Sequence, residues 1–183
     1  MPYAAVAISL FALAFTIGSF WWLHARRGSL TATAPRAHAF NGRPMRLRLP
    51  LVFYNSGARA LIVDDLRVLV DDEPLGKPLR WVTTRGTLRP ESNDGHTFAT
   101  PFAVEGRTAR EAIAEFEGDW APVATSSHRL RVQAQVHPSE DWHDVVVFRW
   151  WAPPGELMKQ YIAHRNEPVE GQAATQGTAV AEP

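Results

Sequence analysis

Within eight positions the sequence carries His137, Glu140, Asp141, His143 and Asp144. Two imidazoles and three carboxylates this close together are the donor types that hold a divalent cation, or that share acid and base roles in a proton transfer. Either use requires the side chains to converge on one point. Spacing alone does not supply that, and a polar run around Pro138 and Ser139 is first of all the solvated tip of a hairpin, which is the reading adopted. Asp71, Asp72 and Glu73, ahead of Pro74 and Gly76, form a second acidic tip. Calcium would be attracted there only weakly, and an ordinary charged turn accounts for the residues.

The remaining chemistry is limited by what the chain lacks. It has no cysteine, which removes thiol nucleophiles and the common structural zinc sites. It contains no Gly-x-Ser-x-Gly elbow, no phosphate loop ending in Lys-Ser/Thr and no Gly-x-Gly-x-x-Gly, the motifs that would seat a nucleophile or a nucleotide. No catalytic, cofactor-binding or metal-ligating residue is therefore assigned, and no enzymatic activity is expected. Nineteen Lys and Arg balance nineteen Asp and Glu; without a basic excess or stripe, a nucleic-acid partner is not expected. Five of the seven tryptophans lie beyond the first segment: Trp81, Trp120, Trp142, Trp150 and Trp151. Trp81 reads as a core anchor. Trp150 and Trp151 must face opposite ways on a strand, so at least one lies outside the main core, under the C-terminal segment near Tyr161 or exposed at an interface.

The element that positions all of this is the opening stretch, Ala4 to Leu23, which has no ionisable side chain and is long enough to cross a bilayer as a helix. A secretory signal would begin with positive charge and end near a small-x-small triplet. Here Met1-Pro2-Tyr3 is uncharged, and the triplets Ala32-Thr33-Ala34 and Ala37-His38-Ala39 lie well past the apolar run. Trp21 and Trp22 stand where an interfacial aromatic belt belongs. The expectation is an uncleaved single-pass anchor in the lipid bilayer. Arg26 and Arg27 flank its C-terminal end, so the positive-inside rule puts the folded domain in the cytoplasm. The pairs Ala5/Ser9 and Ala14/Gly18 have the spacing of close helix contacts but are read as ordinary lipid-facing composition.

Residues 28–44, rich in Ala, Thr, Gly and Pro, read as an irregular linker that lets the domain stand off the membrane. The domain spans 45–153. Leu47, Leu49, Leu51 and Phe53 alternate as one buried strand face, with Pro50 on the other face marking an edge or a bulge. Short runs follow at Ala60–Val63, at Leu66, Val68 and Val70, and at Leu79–Thr83. Thr108 to Phe116 matches a helix capping box and helical spacing, yet a lone nine-residue helix among strands is poorly supported, so a strand is expected. His128, Leu130, Val132, Ala134 and Val136 alternate cleanly. Trp142–Trp151 is apolar on both faces and should be a central strand. Residues 154–165 form a short segment with a turn of helix over Leu157–His164. Residues 166–183 carry no large apolar side chains and are expected to be disordered.

About seven short strands with regular turn signals indicate an antiparallel β-sandwich. The run Leu51-Val52-Phe53-Tyr54-Asn55-Ser56-Gly57, followed by a strand ending Val68-Leu69-Val70-Asp71-Asp72, resembles the opening of bacterial immunoglobulin-like and fibronectin-type-III-like domains, the cell-adhesion-related type among them. The Cys…Trp…Cys framework of a true immunoglobulin domain is absent. The resemblance implies an immunoglobulin-like sandwich with a binding or spacer role and carries over no catalytic residues. The functional expectation is a membrane-anchored module that binds a protein, as an accessory part of a membrane assembly. The alternative is an extracytoplasmic ligand-binding or adhesion module of opposite topology.

Overall fold

The computed structural model describes residues 2–42, 45–70, 77–91 and 94–168. The chain opens with α1, Pro2–Phe20, which continues into a π-helical turn at Trp21–Ala25, closed by the bond from Arg26 N to Trp21 O at 3.0 Å. Together Tyr3–Ala25 make one 23-residue helix long and apolar enough to cross a membrane, with none of its apolar window buried against the protein. Its two hydroxyls satisfy themselves: Ser9 Oγ donates to Ala5 O at 2.9 Å and Thr16 Oγ1 to Ala12 O at 2.8 Å. No unpaired polar group is thereby offered to an apolar surrounding.

Eleven antiparallel strands follow among the described residues, all in one sheet: β1 (Leu30–Ala32), β2 (Ala37–Gly42), β3 (Met45–Asn55), β4 (Leu61–Val70), β5 (Leu79–Arg85), β6 (His96–Phe98), β7 (Phe102–Val104), β8 (Ala109–Glu117), β9 (Ser127–Val136), β10 (Trp142–Trp151) and β11 (Ile162–Arg165). The order is β10-β9-β4-β5-β8-β3-β2-β11, with β1 beside β3, β6 beside β5 and β7 beside β4. The sheet curls because β4 and β5 share only two residue pairs, Arg67 with Arg80 and Val68 with Leu79. Around that narrow join the two halves bring their apolar faces together. Phe102 lies 5.4 Å from Phe53 and 6.0 Å from Trp81, and Trp150 lies 5.3 Å from Phe40, measured between ring centroids.

Several strands follow from local pattern. Leu47, Leu49, Leu51 and Phe53 are fully buried on one face of β3, and Leu130, Val132 and Ala134 on one face of β9. Residues 109–117 are a strand, as their all-β surroundings favour. The runs on either side of Asp64 belong to one strand, β4, whose buried phase shifts from Val63 to Leu66 through a bulge opposite β9; the extra residue flips the alternation.

Other expectations are corrected. Pro50 marks neither a sheet edge nor a bulge: β3 pairs on both flanks, and its register with β8 runs unbroken through Pro50 and Ile113. Val52 O accepts from Thr33 N at 3.0 Å, and Pro50, two residues back, faces the same flank. There β2 has stopped pairing at Arg48 and β1 begins only at Phe53, so the missing N–H deprives no neighbour. β10 is not central. It stands at one end of the order, paired only with β9, and its apolar second face arises from a bulge between Asp144 and Val146. Residues 154–165 hold only a three-residue 3-10 turn, Leu157–Lys159, before β11 pairs with β2.

The linker expectation also fails, because 28–44 contains β1 and β2. These strands have little alternation of their own and form by pairing with β3, burying Leu30, Ala39 and Phe40. Nor does the body stand off from α1. Ala58 N donates to Arg26 O at 2.9 Å, and Ser29 N to Ser56 Oγ at 3.0 Å. Gly28 lies against Gly57 so closely that a Cβ on Gly28 would sit 1.9 Å from Gly57 N. Arg107 donates to Trp22 O at 2.6 Å, placing a cation on the carbonyl end of the helix. It does so from a left-handed backbone, φ 58°, which costs a non-glycine residue about 1 kcal/mol.

The two ends of the sheet meet at Asn166, which belongs to the body and not to the tail; of the expected disordered tail, 169–183 lies outside the described residues. Asn166 Oδ1 accepts from Trp151 N at 3.0 Å, its Nδ2 donates to Arg149 O at 2.9 Å, and its N donates to Arg36 O at 2.8 Å. One amide therefore ties the end of β11 to the free edge of β10. Asn166→Ala is expected to destabilise the full chain by about 1–2 kcal/mol, read as a lowered urea midpoint in detergent. An unchanged midpoint would show that the sheet closes without this clasp.

Candidate functional site

The polar hairpin between β9 and β10 does not assemble. Asp144 turns back onto the sheet, where its Oδ1 accepts from Gln133 at 2.6 Å and its Oδ2 lies 3.6 Å from Arg131. His137 faces Asp64 at 3.6 Å, and Asp141 is engaged with Ser139 at 3.1 Å. Glu140 and His143 are both exposed. His137, His143 and Asp144 border one open groove of about 390 Å³ with Gly28, Ser29 and Leu30, but no three metal-ligating side chains converge anywhere among the described residues. The acidic tip Asp71-Asp72-Glu73 lies outside the described residues. Of the tryptophans, Trp81, Trp120 and Trp150 are buried. Trp151 is half-buried and meets the C-terminal segment through its backbone bond to Asn166. Trp142 lies half-buried under the Arg67 guanidinium, 4.2 Å from the ring centroid.

The most concentrated chemistry is elsewhere. β3, β8 and β5 lie side by side, so Arg48, Glu115, Thr83 and Arg85 fall together on the face opposite Leu47 and Leu49. Alternation would leave that face in water. Instead Thr87, Leu88, Asp94 and Tyr161 cover it, leaving Arg48 and Glu115 at 2 % and 1 % exposure. Glu115 Oε2 accepts from Arg48 Nε at 3.1 Å and Nη2 at 3.0 Å, and from the Tyr161 hydroxyl. Its Oε1 accepts from Arg85 at 2.8 Å and Thr83 at 3.3 Å. Arg48 Nη1 reaches Asp94 at 2.6 Å and Thr87 O at 2.9 Å.

Burial pushes the Glu115 carboxyl up, but the hydrogen bonds from Arg85, Tyr161 and Arg48 outweigh it and hold it down at about 2. Burial and the bond to Glu115 push the Tyr161 phenol up. Both carboxylate oxygens are saturated, so Glu115 has no lone pair left to take a substrate proton. The cluster can hold the loop and the C-terminal segment onto the sheet; it has no free base or nucleophile.

A second buried group sits at the β2–β11 seam. His38 and His164 are directly opposed in register, with ring centroids 5.7 Å apart. His38 is 1 % exposed, packs 5.2 Å from Trp150, and neither of its ring nitrogens finds a hydrogen-bond partner. Burial, then the neighbouring His164, lower it to about 3; burial lowers His164 as well. Both rings are neutral at pH 7. Sequence reasoning missed both groups, because a polar residue between two buried ones looks the same whether water or a loop covers it. The only signal was indirect: Tyr161, a large aromatic in a segment with little else to bury.

Two outcomes follow. Glu115→Gln leaves Arg85 without its carboxylate and Arg48 with Asp94 alone, and is expected to cost about 3–5 kcal/mol, measured by urea unfolding at pH 7. On acidification the unfolded chain protonates His38 from about pH 6.5, whereas the folded chain resists until about pH 3, so stability falls across that window. Glu115 adds a further loss as pH drops from about 4.5 towards 2. His38→Phe should flatten the slope between pH 6.5 and 4.5; an unchanged slope would place the sensitivity on other groups.

Comparison with known protein families and with curated proteins finds no match for this chain.

Proposed function

We propose that this protein is a single-pass, membrane-anchored binding module whose β-body holds a protein partner as an accessory part of a membrane assembly. The observation that carries the reading is the surface of α1. Phe11, Phe15 and Ile8 are 70 % exposed or more, and the apolar side chains run all round the helix, so no face of it is left for water. A removable signal fits less well. Ala32 lies in β1 and Ala37-His38-Ala39 in β2, so cutting at either triplet would take strand residues out of the body.

The body is read as an immunoglobulin-like sandwich, its two layers being the halves of the curled sheet on either side of the β4–β5 join. The arginines at 26 and 27 favour a cytoplasmic body. Phe98, 80 % exposed on β6 beside the exposed His96 and Thr97, is the side chain best suited to enter a partner's pocket, since exposed aromatics are over-represented at interfaces.

Purification of the full chain in mild detergent is expected to bring down a stoichiometric membrane protein, and Phe98→Ser to reduce its recovery about tenfold. A clean monomer from the wild type would overturn the binding reading. A reporter fused after Pro183 should be active only inside the cell; activity only outside would replace this reading with the extracytoplasmic ligand-binding one.

A further inference from the structure

We propose that the end of the body facing α1 is a contact surface for anionic lipid headgroups, formed by Arg26, Arg27, Arg59 and Arg107. The inference rests on the reading of α1 as membrane-embedded and adds to it a lipid preference of the folded body. Arg26 and Arg27 follow the helix directly, whereas Arg59 and Arg107 are distant in sequence and reach the same place only through the fold. The loop 56–60 is fixed to the helix end by Ala58 N on Arg26 O, at 2.9 Å. The turn 105–108 is fixed by Arg107 on Trp22 O, at 2.6 Å. The two loops touch each other, since a Cβ on Gly106 would lie 2.1 Å from Ala58 O.

The charge at this end is one-sided in a chain whose formal net charge is zero. In residues 24–29, 56–60 and 105–108 the only carboxylate is Glu105, and among the described residues none of the four arginines is within ion-pairing distance of a carboxylate. Arg27, Arg59 and Arg107 are exposed, and the Arg26 guanidinium lies 4.2 Å from the centroid of Trp22, itself 51 % exposed. A cation over an indole at the foot of an apolar helix sits at the depth of lipid phosphates. The nearest phosphates are then met by guanidinium forks suited to bidentate contact and by basic charge of the kind that anionic leaflets attract.

The test uses the full chain in bilayers of phosphatidylcholine with about 30 % phosphatidylglycerol, carrying trace spin-labelled lipid of either headgroup. The motionally restricted fraction measures which lipid contacts the protein. The expected result is an association with the labelled phosphatidylglycerol about three- to tenfold stronger than with labelled phosphatidylcholine. That preference should fall towards one in the double variant Arg27→Gln/Arg59→Gln, and in high salt. Equal restriction of both lipids by the wild type would show an embedded helix with no headgroup preference, overturning this proposal alone. A preference untouched by the double variant would overturn it too. Restriction of neither lipid would overturn the membrane reading along with it.

Discussion

The Glu115 carboxylate is the point on which the body's outer layer depends. It is shared by two arginines from different strands, a threonine and a tyrosine that arrives from the C-terminal segment. Without it Thr87, Leu88 and the residues near Tyr161 would lie over two arginines with Asp94 alone to balance them. Desolvating an ion pair seldom stabilises a protein relative to an apolar packing of the same volume. What the arrangement supplies is specificity: only one placement of the loop and the segment satisfies every donor at once.

Closure of the sheet follows the same logic with neutral groups. An eleven-stranded antiparallel sheet that twists cannot stay open without exposing long edges. Here the join between β4 and β5 is narrow enough for the halves to fold towards each other, and Trp150 fills the space that the fold encloses. Asn166 then pairs with the backbone of β10 where a strand is missing. His38, between Trp150 and His164, is kept neutral by the same enclosure that protects the seam. On acidification the seam therefore begins to lose stability before the carboxylate cluster does.

Legibility of the fold divided along the line between local and non-local causes. The β3 and β9 faces could be read directly, since alternation is a property of consecutive residues. The helix was equally plain from its uncharged length. β1 and β2 could not be read, because Leu30, Ala39 and Phe40 are too sparse to form a pattern and acquire their structure from β3. Pro50 misled for a related reason: its tolerance depends on where a neighbouring strand stops, which nothing near it in sequence encodes. The two bulges, after Val63 and after Asp144, disguised one strand as two and an outer strand as an inner one. Of the polar residues first singled out at 137–144, none converges with another into a site. Arg48 and Glu115, which look like solvated alternation, carry the densest network.

The contact between Gly28 and Gly57 has a mechanical consequence. With no slack between helix and sheet, the two turn as a single rotor. Any partner that grips one side of the apolar rod therefore sets the compass bearing of the strands above it, and a twist imposed on the rod is passed on to the rim that carries Phe98.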